Sequence, residues 1–507
     1  MMRINAESLL LYRLSAFIKL KRRSFDVPVT CHVSGGTRSG TELHNCLAMK
    51  RNWEGYSAMK AGKKRIAEYI VALTAGPLVG LLALILVFLL PTELMREHLY
   101  WSLDMIEKEF TDELLIDGFT STLTGNFTDC LMLEQAVYTG GVHSVVDRAL
   151  HIYRAESYYD ESNPEGWQPG RSLIDYMAGR PQPREVEYGR YWHGYLVFLK
   201  PLLLVTSFNS IRLFFSGLQL FLVGVCVILM TRRGETGLAG AFLVSLPFLY
   251  YVSTYASLSQ SVCLFGMLAA VIVLFMLDDK LTAGDTYGFY FLIVGMLTSY
   301  FDLLTYPLIT LGFPLGIWLY LHGGALKHDL RKMVLFSGEW GCGYLWMWGA
   351  KWILADVLTG SSIIGEAFRT VSERTGNATG YGRADGFLHV VFLNLSPFLN
   401  WGFILLGVIL VFFVLLVFVW NSKRVAAKQT GKVTVAKQPM AMKQFAGWLV
   451  GFIPFVCLAL YPFAWWFLTQ NHSEEHNIFT CRIFAVTVFA CAAAFSKIFS
   501  SDFRATH

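Results

Sequence analysis

The sequence predicts an all-α polytopic membrane protein of about ten transmembrane helices with one large loop on the extracytoplasmic side. Three observations predict it. Of 507 residues, 54% are hydrophobic and 16% charged, with a mean hydropathy of +0.45. A soluble chain of this size cannot bury that much apolar surface in its cores, whereas lipid covers it. Apolar runs near the length of a membrane-spanning helix recur along the chain, and Lys and Arg collect beside them in alternate loops.

The elements follow in order. Residues 1-65 form a basic segment, with Lys63, Lys64 and Arg65 directly before the first apolar run. Their charge places this segment in the cytoplasm. It is too long and too basic for a cleaved leader, and within it 4-20 reads either as an interfacial amphipathic helix or as a small soluble one. The first span is 66-90, ending before Pro91. Segment 91-193 is polar, has no run able to cross a bilayer, and is expected to be a partly helical extracytoplasmic domain.

A bundle over 194-354 follows. Residues 194-206 read as a re-entrant or interfacial helix broken near Lys200-Pro201. Spans are expected at 211-230, at two short stretches within 238-277, and at 286-300, 303-321 and 335-354. Gly338, Gly341 and Gly343 in the last of these permit close helix contact. Segment 355-386 is Gly-rich and polar, an expected extracytoplasmic loop. Region 387-507 holds spans at 388-420, 445-468 and 479-498, with a basic cytoplasmic loop at 421-443. Both termini then lie in the cytoplasm of a cell inner (plasma) membrane protein.

The composition also excludes functions. The net charge of +5 comes without a long basic stripe interleaved with aromatics, so no nucleic-acid partner is expected. None of the nine Cys form a CxxC pair, which removes zinc-finger and thioredoxin-like chemistry. An extracytoplasmic disulfide through Cys130 stays open.

Polar residues gather at the extracytoplasmic end. TGNFTDCLMLEQA carries Asp129 and Glu134, with Asp117 just before it. Asp129 reads either as the cap of the helix that follows or as a general base or metal-holding carboxylate near the membrane. RYWHGYLVFLKP carries Arg190, His193 and Lys200, which fit a lipid phosphate or an aromatic-belt anchor. NHSEEHNIFTCR carries His472, His476 and Arg482, fitting a pyrophosphate or sugar hydroxyl, a solvated loop, or less readily a metal, since HExxH order is absent. Asp302 lies between two apolar spans, at a depth where an ionisable group faces protein or a polar cavity unless it sits in a solvated turn. Lys351, near the end of 335-354, either reaches a lipid phosphate or snorkels.

A first span followed by a large acidic outer loop resembles the GT-C superfamily of membrane glycosyltransferases. The resemblance implies a GT-C-like transmembrane bundle and a polyprenyl phosphosugar donor. It also implies a catalytic acid in the first outer loop, with Asp129 in the equivalent place and Asp117 and Glu134 as rivals. The sequence departs from one of the family's patterns: it has no WWDYG-like motif. The implied activity moves a sugar to a cell-envelope glycan or lipid acceptor, with inversion at the anomeric carbon. The partners are that donor, that acceptor and membrane lipids. A cofactor is not required by these residues, though a divalent cation is compatible with the chemistry. Two other classes fit the sequence: a flippase or exporter of lipid-linked glycans, and a non-catalytic envelope-assembly subunit.

Overall fold

The computed structural model describes residues 40-108, 112-157, 168-181, 184-409 and 442-505. The expected helix at 4-20, the far end of the 388-420 span and all of the 421-443 loop but its last two residues, which begin a helix, lie outside the described residues. The described residues fall into two compact units, divided between 71 and 72.

Helix α1 (Gly40–Phe88) contains the first apolar span, Gly62–Phe88, and stops where the sequence places Pro91. The polar domain follows. It holds helices α2 (Thr92–Tyr100), α3 (Asn126–Val137), α4 (Val145–His151) and α5 (Pro169–Met177). It also holds an antiparallel strand pair, β1 (Arg154–Glu156) against β2 (Arg184–Val186), with Arg154 opposite Val186. Among its described residues this is a mixed domain with one two-stranded sheet, beyond the helices the sequence predicted.

The bundle opens with short helix α6 (Leu196–Leu203), which runs unbroken through Lys200 and Pro201. Next come α7 (Phe208–Arg232), α8 (Thr236–Ser245) and α9 (Leu258–Gly284). Helices α10 (Tyr287–Phe301), α11 (Leu308–His322) and α12 (Leu326–Thr359) complete its middle. The expected loop 355-386 is largely helical, with amphipathic α13 (Ile363–Arg374) followed by α14 (Arg383–Leu395). The chain closes with α15 (Met442–Ala459), helix Tyr461–Leu468, and α16 (Phe484–Ala505).

Among the described residues, five helical segments are long and apolar enough to span a membrane: Gly62–Phe88, Phe208–Arg232, Leu258–Gly284, Val450–Leu468 and Asn477–Lys497. The protein is thus a mostly helical, multi-span membrane protein. The single span expected at 388-420 is instead bent by 73° between Arg383–Leu399 and Trp401–Ile409. Pro397 and the 3₁₀ turn Ser396–Leu399 interrupt the α-helical hydrogen bonding there.

Helices α10 and α11 have 15 residues each, about 22 Å of rise against the roughly 30 Å of a hydrocarbon core. Helix α11 is buried on every side from Leu308 to Tyr320, with Phe313 stacked on Phe489 at 4.6 Å. Protein surrounds it, so its length need not match the bilayer. Helices α10 and α12 cross closely because Gly295 and Gly343 meet the facing backbone. A Cβ at either position would stand 2.1 Å from a carbonyl oxygen, of Trp340 and Leu292 respectively. Gly338 and Gly341 face open space, so only one of the three glycines named from the sequence makes this contact.

The sequence ended a span at 277 and returned the chain to solvent at Asp278. Instead, α9 continues to Gly284 and Asp278 is buried. Its carboxylate accepts from His322 Nε2 at 2.7 Å and is bound by Arg233 and Tyr287. Four helices are tied together at that end.

Candidate functional site

The groups that could do chemistry lie at the end of the bundle that carries the polar domain. At that end an apolar groove of about 650 Å³ runs between the helices. Its walls are α6 (Val197, Phe198, Leu202), α7 (Phe214 to Leu222), α9 (Leu258 to Val273) and α10 (Tyr290 to Phe301). From Leu258 to Val273, α9 rises about 22 Å, which sets the groove's length. Phe198, Phe214, Val273 and Leu297 among its lining residues are each more than 40% exposed, so it opens on an apolar outer side of the bundle. Its polar end is formed by Tyr195, Ser261, Asp302 and the Thr298-Thr310 pair.

Asp302 follows the last residue of α10 and is 2% exposed. It accepts from the Thr305 amide at 3.0 and 3.2 Å and from the Thr305 hydroxyl. Burial raises its pKa above the usual carboxylate range, with the Thr305 hydroxyl pulling the other way. The expectation from its depth, a carboxylate facing protein or a polar cavity, matches this placement.

Asp129 does not cap its own helix. It lies in the first turn of α3, and its two oxygens accept from the amides of Leu258 at 2.8 Å and Ser259 at 2.7 Å. These are the first two residues of α9, whose amides lack partners within the helix. Burial pushes its pKa up, and the Ser259 hydroxyl and amide, Arg212 and the Leu258 amide pull it back. Gly125 N–H donates to Ser257 Oγ at 2.8 Å, and Gln260 Nε2 donates to Leu123 O at 3.2 Å, so the whole turn docks on α9.

Glu134, one helical turn further on, faces the strand pair. Its Oε1 accepts from the Ala155 amide at 3.0 Å, while Oε2 is buried without a hydrogen-bond partner. Burial raises its pKa to about 8, against the pull of Arg154. Asp117 is exposed in the loop before α3. These three carboxylates of the polar domain thus face a helix end, a sheet and solvent, and do not converge.

The basic candidates divide in the same way. Lys200 is fully buried, donates to Ala136 O at 2.5 Å and lies 4.9 Å from the Phe88 ring; burial lowers its pKa to about 7. Lys351 is fully buried, donates to Leu150 O and faces Trp192, so it ties α12 to the polar domain rather than reaching lipid. Arg482 is fully buried among Tyr250, Tyr306 and Phe479. It donates to Gln260 Oε1 at 2.6 Å and Ser253 Oγ at 3.1 Å, with Nη1 unpartnered.

Arg190, His472 and His476 form a separate shelf with Arg374. Arg190 lies over Tyr188 and pairs with Glu366 at 3.4 Å, and Arg374 pairs with Glu475. The Arg190 carbonyl accepts from Trp348 and Trp352 Nε1, which locks its backbone. Burial and then the Arg374 and Arg190 charges lower the pKa of half-buried His476 to about 4. His472 donates from Nε2 to Leu304 O at 2.8 Å, and burial lowers it to about 3. His193 donates from Nε2 to Tyr188 O at 2.8 Å and contacts the Tyr195 hydroxyl at 2.9 Å; burial lowers it to about 3. Burial disfavours the charged form of all three imidazoles, so the positive charge here comes from the two guanidiniums, each of which faces a carboxylate, Glu366 and Glu475.

Two residues of this region gave no signal in the sequence. Leu304 and Tyr250 adopt positive φ, +62° and +54°, as does His193 at +54°. Such strain in non-glycine residues collects where surrounding structure imposes it. Here it presents the Leu304 carbonyl to His472 and the Tyr250 ring to Arg482. Among the described residues, no group of three or more His, Cys, Asp or Glu is arranged to hold a metal ion.

Neither a protein-family model, nor a curated protein, nor a solved structure matches this chain.

Proposed function

We propose that the chain is a membrane glycosyltransferase. It moves a sugar from a polyprenyl-phosphate-linked donor to a cell-envelope glycan or lipid acceptor at the extracytoplasmic face of the plasma membrane. The observation that carries this reading is the groove, an apolar slot open on an apolar outer side of the bundle that ends at buried polar groups beside the polar domain. A long-chain lipid enters such a slot sideways and brings its head to Asp302 and Tyr195. The nearby shelf carries two guanidiniums, Arg190 paired with Glu366 and Arg374 paired with Glu475, which a phosphate leaving group would have to draw away from those carboxylates.

The test is to fill the groove. Ala269→Trp places an indole among its lining residues, at an exposed position of α9. In vesicles, release of polyprenyl phosphate from a panel of polyprenyl phosphosugars should fall at least tenfold for long-chain donors or acceptors. Short-chain water-soluble analogues should react as before. A folded variant with full long-chain turnover, or a wild type that releases no polyprenyl phosphate from any donor, refutes the reading.

One observation favours a second reading, a non-catalytic assembly subunit. Asp129, Lys200 and Lys351 each bind backbone groups of another segment and so serve the fold. Under that reading the wild type turns over no donor, while Asp129 variants still lose stability.

A further inference from the structure

The polar domain carries a run of apolar side chains that protein leaves open. Residues 113-124 fold as a short hairpin ahead of α3, closed by the antiparallel bridge Leu114-Leu123 and a turn at Asp117-Gly118, with Gly118 at φ +79°. Three consecutive large apolar residues, Leu114, Leu115 and Ile116, fill its first arm. All three are exposed, Leu115 by 50% and Ile116 by 53%. Single exposed apolar residues are ordinary on any surface, whereas a contiguous run marks a contact.

The position of the hairpin says what that contact is. Leu123, across the bridge from Leu114, accepts from Gln260 Nε2 at 3.2 Å, and the Gly125 amide donates to Ser257 Oγ at 2.8 Å. Both partners lie at the first turn of α9, a segment of spanning length. Paired arms lie about 5 Å apart, so Leu114 sits at the level where a span enters the apolar layer. Beside it, the Phe119 ring meets Trp401 edge to face at 5.9 Å. Trp401 opens the limb Trp401–Ile409, where Trp401, Ile404 and Val408 are exposed, so the apolar surface continues from the hairpin onto a membrane segment. The same level is marked again at α7, which starts beside α9, with Arg212 Nε donating to Ala256 O at 2.6 Å. There Ser102 Oγ accepts from the Asn209 amide at 3.3 Å, and the neighbouring Tyr100 and Trp101 are exposed, as suits the boundary between headgroups and acyl chains.

The hairpin is also built to leave water. The Leu115 amide donates to Thr122 O at 3.2 Å, Ile116 to Thr122 Oγ1 at 3.0 Å, Phe119 to Ile116 O at 3.1 Å and Glu113 to Thr124 Oγ1 at 2.9 Å. Unpaired amides would make entry into an apolar layer costly. Glu113 and Asp117, exposed at either end of the triplet, limit its depth to the boundary.

We propose that Leu114, Leu115 and Ile116 embed in the bilayer leaflet on the polar domain's side, so that this domain rests on lipid rather than standing clear of it. The assignment does not depend on the reaction the chain performs. The hairpin leads directly into the 123-126 turn and Asp129, so the lipid contact steadies the junction of the polar domain with α9.

The experiment uses the full chain in phosphatidylcholine vesicles. Wild type is photolysed with an apolar diazirine dissolved in the bilayer, and labelled peptides are mapped by mass spectrometry. The 113-124 peptide is expected to carry the label. Separately, Leu115→Cys and Ile116→Cys, each in a background freed of native Cys, carry a nitroxide whose relaxation by oxygen and by a water-soluble nickel chelate is read by electron paramagnetic resonance. The oxygen-to-nickel ratio should exceed that of the free label in buffer by about threefold or more, because oxygen concentrates among acyl chains and the chelate stays in water. A smaller ratio at either position places the hairpin in water and overturns the proposal. An unlabelled 113-124 peptide in the wild type overturns it as well, and that measurement needs no variant, so a misfolded cysteine variant leaves the proposal falsifiable.

Discussion

Replacing Asp129 separates a structural carboxylate from a catalytic one. Its two oxygens accept from the first two amides of α9, at 2.8 and 2.7 Å, in a site where Asp129 is 2% exposed. Hydrogen bonds to a charged group contribute about 1.5–3 kcal/mol each, and the helix dipole adds up to about 2 kcal/mol in partly buried geometry. Asp129→Asn keeps one carbonyl acceptor but turns an amide donor toward the second N–H. It should therefore cost about 2–4 kcal/mol, and Asp129→Ala should cost more because both amides are left unpaired. The assay is denaturant unfolding in detergent followed by helical signal. It is paired with limited proteolysis, because loosening should appear where the 123-126 turn meets 257-260. Turnover normalised to folded protein should change much less than stability. If Asp129→Asn unfolds within about 0.5 kcal/mol of wild type yet loses activity by 10²-fold or more, the capping argument fails and Asp129 is the base.

Glu134 predicts a pH dependence. Its folded pKa of about 8 lies above its ordinary value of 4.5, so between those limits the folded state holds a proton that the unfolded chain has released. Stability from this group is full below pH 4.5 and is lost as pH rises toward 8, by on the order of 3–5 kcal/mol. Glu134→Gln keeps an acceptor for the Ala155 amide and should remove that slope; unfolding midpoints at pH 5 and 8 that shift equally in both proteins would contradict it. The topology is tested by single cysteines in a background freed of native Cys, at Asp117 and at the fully exposed Asp279. A membrane-impermeant maleimide on sealed cells should label position 117 and spare 279, and the reverse pattern would invert the protein.

The sequence by itself determined the class of this protein and the location of the spans at 66-90, 211-230, 445-468 and 479-498, whereas of the about ten spans it predicted the described residues hold five helices long and apolar enough to cross. Apolar runs of spanning length leave a chain little choice but helices in lipid, because each backbone amide and carbonyl there must be paired within its own segment. That local requirement is why α1 ends before Pro91 and why α7 and α9 fall on the apolar runs. The tertiary structure decided the rest. Asp129 meets Leu258 from 129 residues away, and no periodicity near Asp129 encodes that partner. The same holds for Lys351, which a one-dimensional reading sends to the lipid surface and the packed structure turns inward to Leu150. The 73° bend in 383-409 and the sheathing of α11 by its neighbours are likewise packing outcomes. The groove itself is a space between four helices that are separate in sequence, and each contributes side chains that read individually as ordinary lipid-facing residues. Hydropathy measures what a residue can tolerate beside it, while the identity of that neighbour is set only when the helices assemble.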